Sequence, residues 1–178
     1  MGHPYAKGRI IGLGLGLPIG LSVTQRTEIL AGIARLDGVR LLDRRIAQLS
    51  PLAPGEQCPK ALQTKTWTGP ATVWATVTPV VLDRPPKRAD TERLRVAVAQ
   101  SLQYAGYPVP VEVAISPFSV FQGAPPAFRV PSPERKPRYH AVVHFAKAVT
   151  GPVIAGRLRY FGVGLFRPWI EREQGASA

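Results

Sequence analysis

Histidines are the side chains of this sequence best suited to acid–base chemistry. His140 and His144 lie four residues apart in RYHAVVHFAKAV, residues 138–149, a segment that predicts a β-strand. On a strand they share one face, and the reference pKa of histidine, about 6.5, is close to working pH. The two rings could therefore act as acid and base in phosphodiester cleavage, or could instead bond across the sheet or touch phosphate. His3, near the N-terminus, is the third candidate.

The C-terminal segment GPVIAGRLRYFGVGLFRPW, residues 151–169, combines glycines, arginines and aromatic residues. Glycine lets main-chain N–H groups approach phosphates, arginine supplies charge, and aromatic rings can stack on bases. The structural alternative is a final hairpin packed on the sheet, with Phe161 and Phe166 in the core. The predicted RNA-binding residues are basic or belong to this segment: Arg44, Arg45, Lys147, Gly151, Gly156, Arg157, Arg159, Tyr160, Gly162, Gly164 and Arg167.

Common cofactor and metal motifs do not occur in the sequence. Gly12, Gly14 and Gly16 alternate and are followed by Pro18, so no helix begins where a dinucleotide pyrophosphate would lie. Cys58 is the only cysteine, which excludes an intramolecular disulfide and a cysteine cluster for zinc. We therefore expect no metal site and no cofactor, and a reducing cytoplasm is the simplest compartment.

The charge of the chain indicates a polyanionic partner. Its 178 residues contain 23 Lys and Arg against 11 Asp and Glu, which gives a formal net charge of +12. Arginine provides most of the positive charge, and its planar group suits phosphate contact and base stacking. Nucleic acid is the usual partner of so basic a small protein. Solubility, or a place inside a larger assembly, is the alternative.

The predicted elements alternate in an order typical of an α+β fold. In chain order they are a strand at 8–17, a helix at 22–36, strands at 39–49 and 72–82, a helix at 90–105, and strands at 109–115 and 138–149. Ser22 and Gln25 form a predicted capping box, and Pro79 makes its strand an edge strand or bulges it. The order predicts a ferredoxin-like (RRM-like) antiparallel sheet with two helices and a C-terminal glycine-rich loop.

The length of the chain fits one substantial domain or two small ones. We expect one domain over 1–178, with its core at about 8–169 and a flexible tail at 170–178. Two degenerate ferredoxin-like units are the alternative. The apolar run near the N-terminus spans about ten residues, whereas a membrane span needs roughly twenty, so no contact with a membrane is expected.

Three segments resemble the RAMP superfamily of CRISPR-associated proteins. FGVGLF, which follows a strand and the turn GPVIAGR, is similar to the glycine-rich loop of that superfamily. WATVTPVVLDRPPK (74–87) and GRIIGLGLGLP (8–18) resemble the processing-nuclease half of the subtype I-U (also called I-G) fusion protein. The other half of that fusion is the crRNA 5′-handle subunit. Together the segments cover most of the chain in the same order.

The resemblance implies a single ferredoxin-like, RAMP-type domain that acts in antiviral defence as a metal-independent endoribonuclease. The 2′-hydroxyl of CRISPR repeat RNA would attack the neighbouring phosphate and leave a 2′,3′-cyclic phosphate, without a cofactor. The enzyme would stay on the 3′ hairpin of the crRNA within a Cascade-type effector complex. Its implied partners are repeat RNA, crRNA and other complex subunits. A non-catalytic RAMP subunit and a general RNA-binding module are the alternatives.

The sequence departs from the family pattern in two respects. The handle-subunit half is absent, which fits a split subunit, a fragment or an isolated module. Many relatives outside this subtype place a catalytic histidine in or near the first helix, whereas residues 22–36 contain none. An alternative site built from other residue types would use Tyr5, Lys7 and Arg9 near the N-terminus.

Overall fold

The computed structural model describes most of the chain in seven stretches: residues 14–17, 20–35, 39–40, 46–47, 59–86, 90–130 and 136–170. The chain forms two compact units, one made of Leu13–Leu62 and one of Met1–Gly12 with Gln63–Ala178. No helix in the described stretches is long and apolar enough to cross a bilayer. Some predictions lie outside these stretches, namely those for residues 8–13 and for His3, Arg44 and Arg45.

Helix α1 (Val23–Ala34) belongs to the smaller unit and begins at the predicted capping box. The Ser22 hydroxyl oxygen accepts the N–H of Gln25 at 3.2 Å, and the Gln25 side-chain oxygen accepts the N–H of Ser22 at 3.0 Å. Because both donors belong to the otherwise unpaired first turn of the helix, this exchange fixes where α1 starts.

Two short strands of the smaller unit, β1 (Val39–Arg40) and β2 (Ile46–Ala47), pair antiparallel. The single strand predicted for residues 39–49 is therefore wrong, because its two ends pair with each other. Apolar and β-branched residues predict extended backbone but do not show where it folds back. Residues 14–17, at the end of the strand predicted for 8–17, lie outside any helix or strand.

The larger unit contains an antiparallel sheet. Its elements in chain order are α2 (Lys65–Thr68), β3 (Ala71–Thr76), β4 (Val80–Val81), α3 (Thr91–Tyr104), β5 (Glu112–Ser116), β6 (Arg138–Val149) and β7 (Phe166–Pro168). The strand order is β5–β6–β3–β7, and β4 pairs with β6 beyond the end of β3. Since β3 and β5 are both antiparallel to β6, which lies between them, β3, α3 and β5 form a split β-α-β unit.

The predicted α+β, ferredoxin-like class is confirmed by this sheet. A β-α-β-β-α-β fold has its second helix between the last two strands, here β6 and β7. The described residues 150–165 contain no α-helix at that place. They form the glycine-rich segment and one 3₁₀ turn, Arg159–Phe161. The segment with the predicted RNA contacts thus replaces an element of the core.

Helix α3 packs its apolar face on the sheet. Asp90 caps its first turn by accepting the N–H of Arg93 at 2.9 Å. The face predicted to be buried is buried, at Leu94, Ala97, Val98, Ser101 and Leu102. It meets the apolar face of β6, which consists of Ala141, Val143 and Phe145 as predicted. The opposite face of β6 carries both of the predicted catalytic histidines of this strand.

The strand predicted for residues 72–82 is present as two pieces, β3 and β4, on either side of Pro79. A proline cannot donate to a ladder, which explains the interruption. The N–H groups of Val77 and Thr78 donate instead to the carbonyl of Leu165, at 2.8 and 3.4 Å. The interruption at Pro79 therefore lies where the chain meets the glycine-rich segment.

Candidate nucleic-acid interface

His140 lies on β6 and is buried, with 2% of its surface exposed. Its Nδ1 is 2.9 Å from the hydroxyl oxygen of Thr76, and its Nε2 is 2.9 Å from the carbonyl oxygen of Pro125. A carbonyl can only accept, so Nε2 carries the proton and Nδ1 accepts from the Thr76 hydroxyl. That hydroxyl oxygen accepts the N–H of Ala141 at 2.9 Å. The chain of bonds is complete with a neutral imidazole.

Burial lowers the pKa of His140, while its hydrogen bonds with Pro125 and Thr76 act in the opposite direction. Both nitrogens are occupied and the ring is inaccessible, so in this conformation His140 has no site for a substrate proton. Its visible role is to hold the proline-bearing loop, defined as residues 117–130, on the sheet. In the same contact the Ser119 hydroxyl donates to the carbonyl of Thr76 at 2.6 Å.

His144 lies on the same strand but in different surroundings. It is half-buried, and it lies between Val73 of β3 and Glu112 of β5 in the sheet register. Its imidazole has no hydrogen-bond partner in the part of the chain that the structure describes. Residues four apart on a strand are about 13 Å apart along it, so one phosphodiester cannot touch both His140 and His144. Their shared face does not make them an acid–base pair.

The glycine-rich loop, defined as residues 156–163, lies between two short extended segments that pair at Ile154 and Leu165. The N–H of Ala155 donates to the carbonyl of Gly164 at 3.0 Å, and the N–H of Phe166 donates to the carbonyl of Val153 at 2.9 Å. These bonds close the loop at its base, next to the sheet strand β7.

Three of the four glycines predicted to contact RNA are packed against backbone. At Gly164 (φ +77°) an added Cβ would collide with the carbonyl of Ala155, and at Gly156 (φ +95°) with that of Val81. Gly151 is packed in the same way on the backbone of Trp67 and the ring of Trp74. Only Gly162 of the four has open space around its Cα.

The glycine-rich loop rests on the segment that follows β3. The Thr78 hydroxyl donates to the carbonyl of Gly162 at 3.0 Å, and the N–H of Arg157 donates to the carbonyl of Val81 at 3.0 Å. Arg159 lies 3.8 Å from the Asp83 carboxylate. Two of the three segments that carry the sequence resemblance, WATVTPVVLDRPPK and the glycine-rich segment, are therefore in direct contact.

The far end of the glycine-rich loop is exposed. Gly162 adopts a left-handed conformation directly after the 3₁₀ turn, and this change of hand makes successive N–H groups point to one side. The N–H groups of Gly162 and Val163 donate to no acceptor among the described residues. Such a group of free donors is suited to binding an anionic oxygen.

The part of the chain that contains this loop is positively charged. Residues 136–170 contain six Lys and Arg and no Asp or Glu. Lys147 and Arg157 are exposed. Arg159 is half-buried and lies over the Tyr160 ring at 4.8 Å, and Arg167 lies over the ring of Phe121 at 4.6 Å. Arg157, Arg159, Tyr160 and Gly162 lie together in the glycine-rich loop, whereas Lys147 lies near the end of β6 and Arg167 on β7. Arg44 and Arg45 lie outside the described residues.

Two open clefts lie elsewhere on the larger unit. One, of about 310 Å³, is lined by the proline-bearing loop and by residues of β5 and β6, among them Ser116 and His140. The other, of about 460 Å³, lies between residues 84–86 and the exposed side of α3. Within the described residues no group of three or more His, Cys, Asp or Glu could hold a metal ion.

Sequence reasoning misassigned one aromatic residue and missed several supporting ones. Phe166 is fully buried, as the core interpretation expects, but Phe161 is 80% exposed. Phe161 lies between Tyr160 and a glycine, outside any strand pattern, and this position was the signal that could have indicated an exposed ring. Thr78 and Asp83 support the glycine-rich loop, and only their presence in the VTPVVLDR segment singled them out.

Comparison with known protein families gives a match over almost the whole chain. The model of a protein family described as CRISPR-associated protein, GSU0054 family, matches residues 1–168. No curated protein and no solved structure shows significant similarity to the chain.

Proposed function

Because this chain belongs to the GSU0054 family of CRISPR-associated proteins, we propose that it binds CRISPR repeat RNA and cleaves it as a metal-independent endoribonuclease. The observation that carries the proposal is the exposed end of the glycine-rich loop. Free N–H groups at Gly162 and Val163 are combined there with arginines in a stretch without acidic residues. Main-chain donors and arginines are the groups that position a nucleic-acid backbone.

The proposed reaction uses the RNA as its own nucleophile. A general base takes the proton of the 2′-hydroxyl, whose oxygen attacks the adjacent phosphorus. The bond from phosphorus to the 5′-oxygen breaks, and an acid protonates that oxygen. The products are a 2′,3′-cyclic phosphate and a 5′-hydroxyl. Positive groups such as Arg157 and the free N–H groups of the loop would offset the charge of the transition state.

Among the predicted catalytic residues, His144 and His3 are the candidates that the proposal retains for proton transfer. His144 has an imidazole without a partner among the described residues, and His3 lies outside them. His140 is assigned to the support of the proline-bearing loop, because both of its nitrogens are bonded. The enzyme would stay on the 3′ hairpin of its product within the effector complex.

A second candidate function is a non-catalytic RAMP-type subunit that holds crRNA in the same complex. The specific observation in its favour is the occupied state of His140. A chain with the same glycine-rich loop and no accessible acid–base pair would bind repeat RNA and leave it intact.

The test is incubation of the purified protein, in excess, with labelled cognate repeat RNA in EDTA. We expect one cut that ends in a cyclic phosphate, and no cut when the nucleotide 5′ to the cleaved bond carries 2′-deoxyribose. His144→Ala and His3→Ala are expected to lose cutting without loss of binding. His140→Ala is expected to change the stability of the protein, because His140 supports the proline-bearing loop.

Matched controls separate the alternatives. An unrelated hairpin of equal length should bind more weakly, since equal binding would indicate a general RNA-binding module. Tight binding of repeat RNA with no cut by the wild type would establish the non-catalytic subunit instead. Cutting that needs a divalent cation would contradict the proposed mechanism.

A further inference from the structure

Two adjacent aromatic residues stand at the end of the glycine-rich loop. Tyr160 and Phe161 are 84% and 80% exposed. A single exposed aromatic residue needs no explanation. The informative feature is how this pair is held.

The loop that carries the pair is anchored on both sides. The carbonyl of Gly162 accepts the Thr78 hydroxyl, and the same hydroxyl oxygen accepts the N–H of Leu165 at 3.0 Å. On the other side the N–H of Arg157 is bonded to Val81. Because the backbone is fixed before any partner arrives, little conformational entropy is lost when a ring at this position binds.

The two rings differ in their availability. Tyr160 lies under the guanidinium of Arg159, 4.8 Å from its ring centre, so one of its faces is covered. Phe161 has no ring or cation partner among the described residues. Its π-face is therefore open to a planar group.

Charge selects the kind of partner. The stretch 136–170 carries six basic residues and no acidic one, and the N–H groups of Gly162 and Val163 immediately follow Phe161. An apolar protein segment would satisfy the ring but leave these donors unpaired. A nucleotide supplies both an anionic oxygen and a flat base within a few ångströms of each other.

We propose that Phe161 stacks on one base of the bound RNA while the adjacent N–H groups of Gly162 and Val163 hold a neighbouring phosphate. The base must expose a face, so it is either unpaired or at the end of a helix. The ring then recognises a break in base stacking, and the contact tolerates any base because every base has a π-face. This inference rests on the proposed RNA-binding function and adds the specific residue and the kind of nucleotide.

The test uses repeat RNA made uncleavable by one 2′-deoxy nucleotide and carrying 2-aminopurine at successive positions. With wild type we expect quenching by stacking at one position, and loss of that signal with Phe161→Leu. Affinity for Phe161→Leu should fall about 5- to 150-fold, the range for one base–aromatic stack, with an unchanged salt slope. Phe161→Trp keeps the stack and should stay within about threefold of wild type.

Phe118→Leu is the matched control, because Phe118 is also exposed but lies on the proline-bearing loop. It should leave affinity and quenching unchanged. Unchanged affinity and quenching in Phe161→Leu would overturn the inference, and so would a shallower salt slope, which would mean lost phosphate contacts. Failure of wild type to bind repeat RNA at all would instead overturn the proposed function.

Discussion

The proline-bearing loop and the glycine-rich loop rest on the same sheet and are held in different ways. The proline-bearing loop is attached by side chains, chiefly the buried ring of His140 and the hydroxyl of Ser119. The glycine-rich loop is attached largely by main-chain groups, with glycines where two backbones meet. One loop therefore depends on the chemistry of a few side chains, and the other on the absence of side chains.

This difference changes the meaning of the predicted site residues. His140, predicted to do chemistry, has a supporting position, and Gly151, Gly156 and Gly164, predicted to contact RNA, are packed against backbone. The groups left open are Gly162 and its neighbours at the exposed end of the glycine-rich loop. Residue type alone indicates what a side chain can do, whereas burial decides whether it is available.

The largest expected effect is that of Gly164→Ala. The added methyl group would meet the carbonyl of Ala155, and the residue has φ +77°. Left-handed strain and overpacking together should lower the free energy of unfolding by about 3 kcal/mol or more. The measurement is urea denaturation followed by circular dichroism.

Gly162→Ala is the matched control, since Gly162 has nearly the same φ, +75°, and open surroundings. It should lower the free energy of unfolding by only about 1–2 kcal/mol, which is the cost of the left-handed conformation alone. Equal losses at the two glycines would show that close packing does not hold the glycine-rich loop.

His140→Phe tests the side-chain attachment of the other loop. The substitution keeps a ring of similar size but leaves the carbonyl of Pro125 and the hydroxyl of Thr76 without their partner. We expect a loss of about 1–3 kcal/mol in the free energy of unfolding. Amide exchange within residues 117–130 should rise more than in the glycine-rich loop.

A double-mutant cycle with Thr76→Val sharpens this test. Both substitutions break the same bond, so their combined cost should be clearly less than the sum of the single costs. Additive costs would mean that His140 and Thr76 act independently and that the chain of bonds has no structural role.

The fold could be predicted where patterns are long. Strand β6 spans Arg138–Val149, the predicted range, and α3 buries the predicted face. These elements are twelve and fourteen residues long, which is enough to show a clear hydrophobic period. The three residues of β7, which include Pro168, are too few to show one. No signal in the sequence distinguishes the reversal between β1 and β2 from a continuous strand.

The site could be predicted only in part, for a different reason. The partners of His140 are Thr76 and Pro125, which are 64 and 15 residues away in the sequence. No local pattern contains that information. The glycine-rich segment was identifiable because its glycines, arginines and aromatic residues are adjacent in the chain. Whether Phe161 or Phe166 is exposed depends on where β7 begins, which the sequence does not show.

Acid should weaken the attachment of the proline-bearing loop. Burial holds the pKa of His140 below that of the unfolded chain, about 6.5. As pH falls through that value the unfolded state takes up the proton first, so the free energy of unfolding decreases until the lower folded-state pKa is passed. Thermal melts between pH 8 and pH 5 should show this slope, and His140→Phe should reduce it. His144→Gln keeps His140 and should retain it, and a slope unchanged in His140→Phe would assign the effect to other groups.

The smallest effect is expected at the ion pair between Arg159 of the glycine-rich loop and Asp83. Asp83 Oδ1 lies 3.8 Å from Arg159, and Oδ2 is buried with no hydrogen-bond partner in the described chain. Because the pair is long and half of the carboxylate is unsatisfied, Asp83→Asn should change stability by less than about 1 kcal/mol.

The same substitution should nevertheless act on RNA. Removing the carboxylate releases Arg159 towards a phosphate, so affinity should rise a few-fold and the salt slope should steepen by about 0.7–0.9, the value for one added contact. Salt titrations of repeat RNA binding measure both quantities. Glu92→Gln makes the same charge change on the exposed side of α3 and should leave the slope unaltered. If Asp83→Asn weakens binding instead, Asp83 positions Arg159 for the RNA, and the glycine-rich loop depends on a side chain as the proline-bearing loop does.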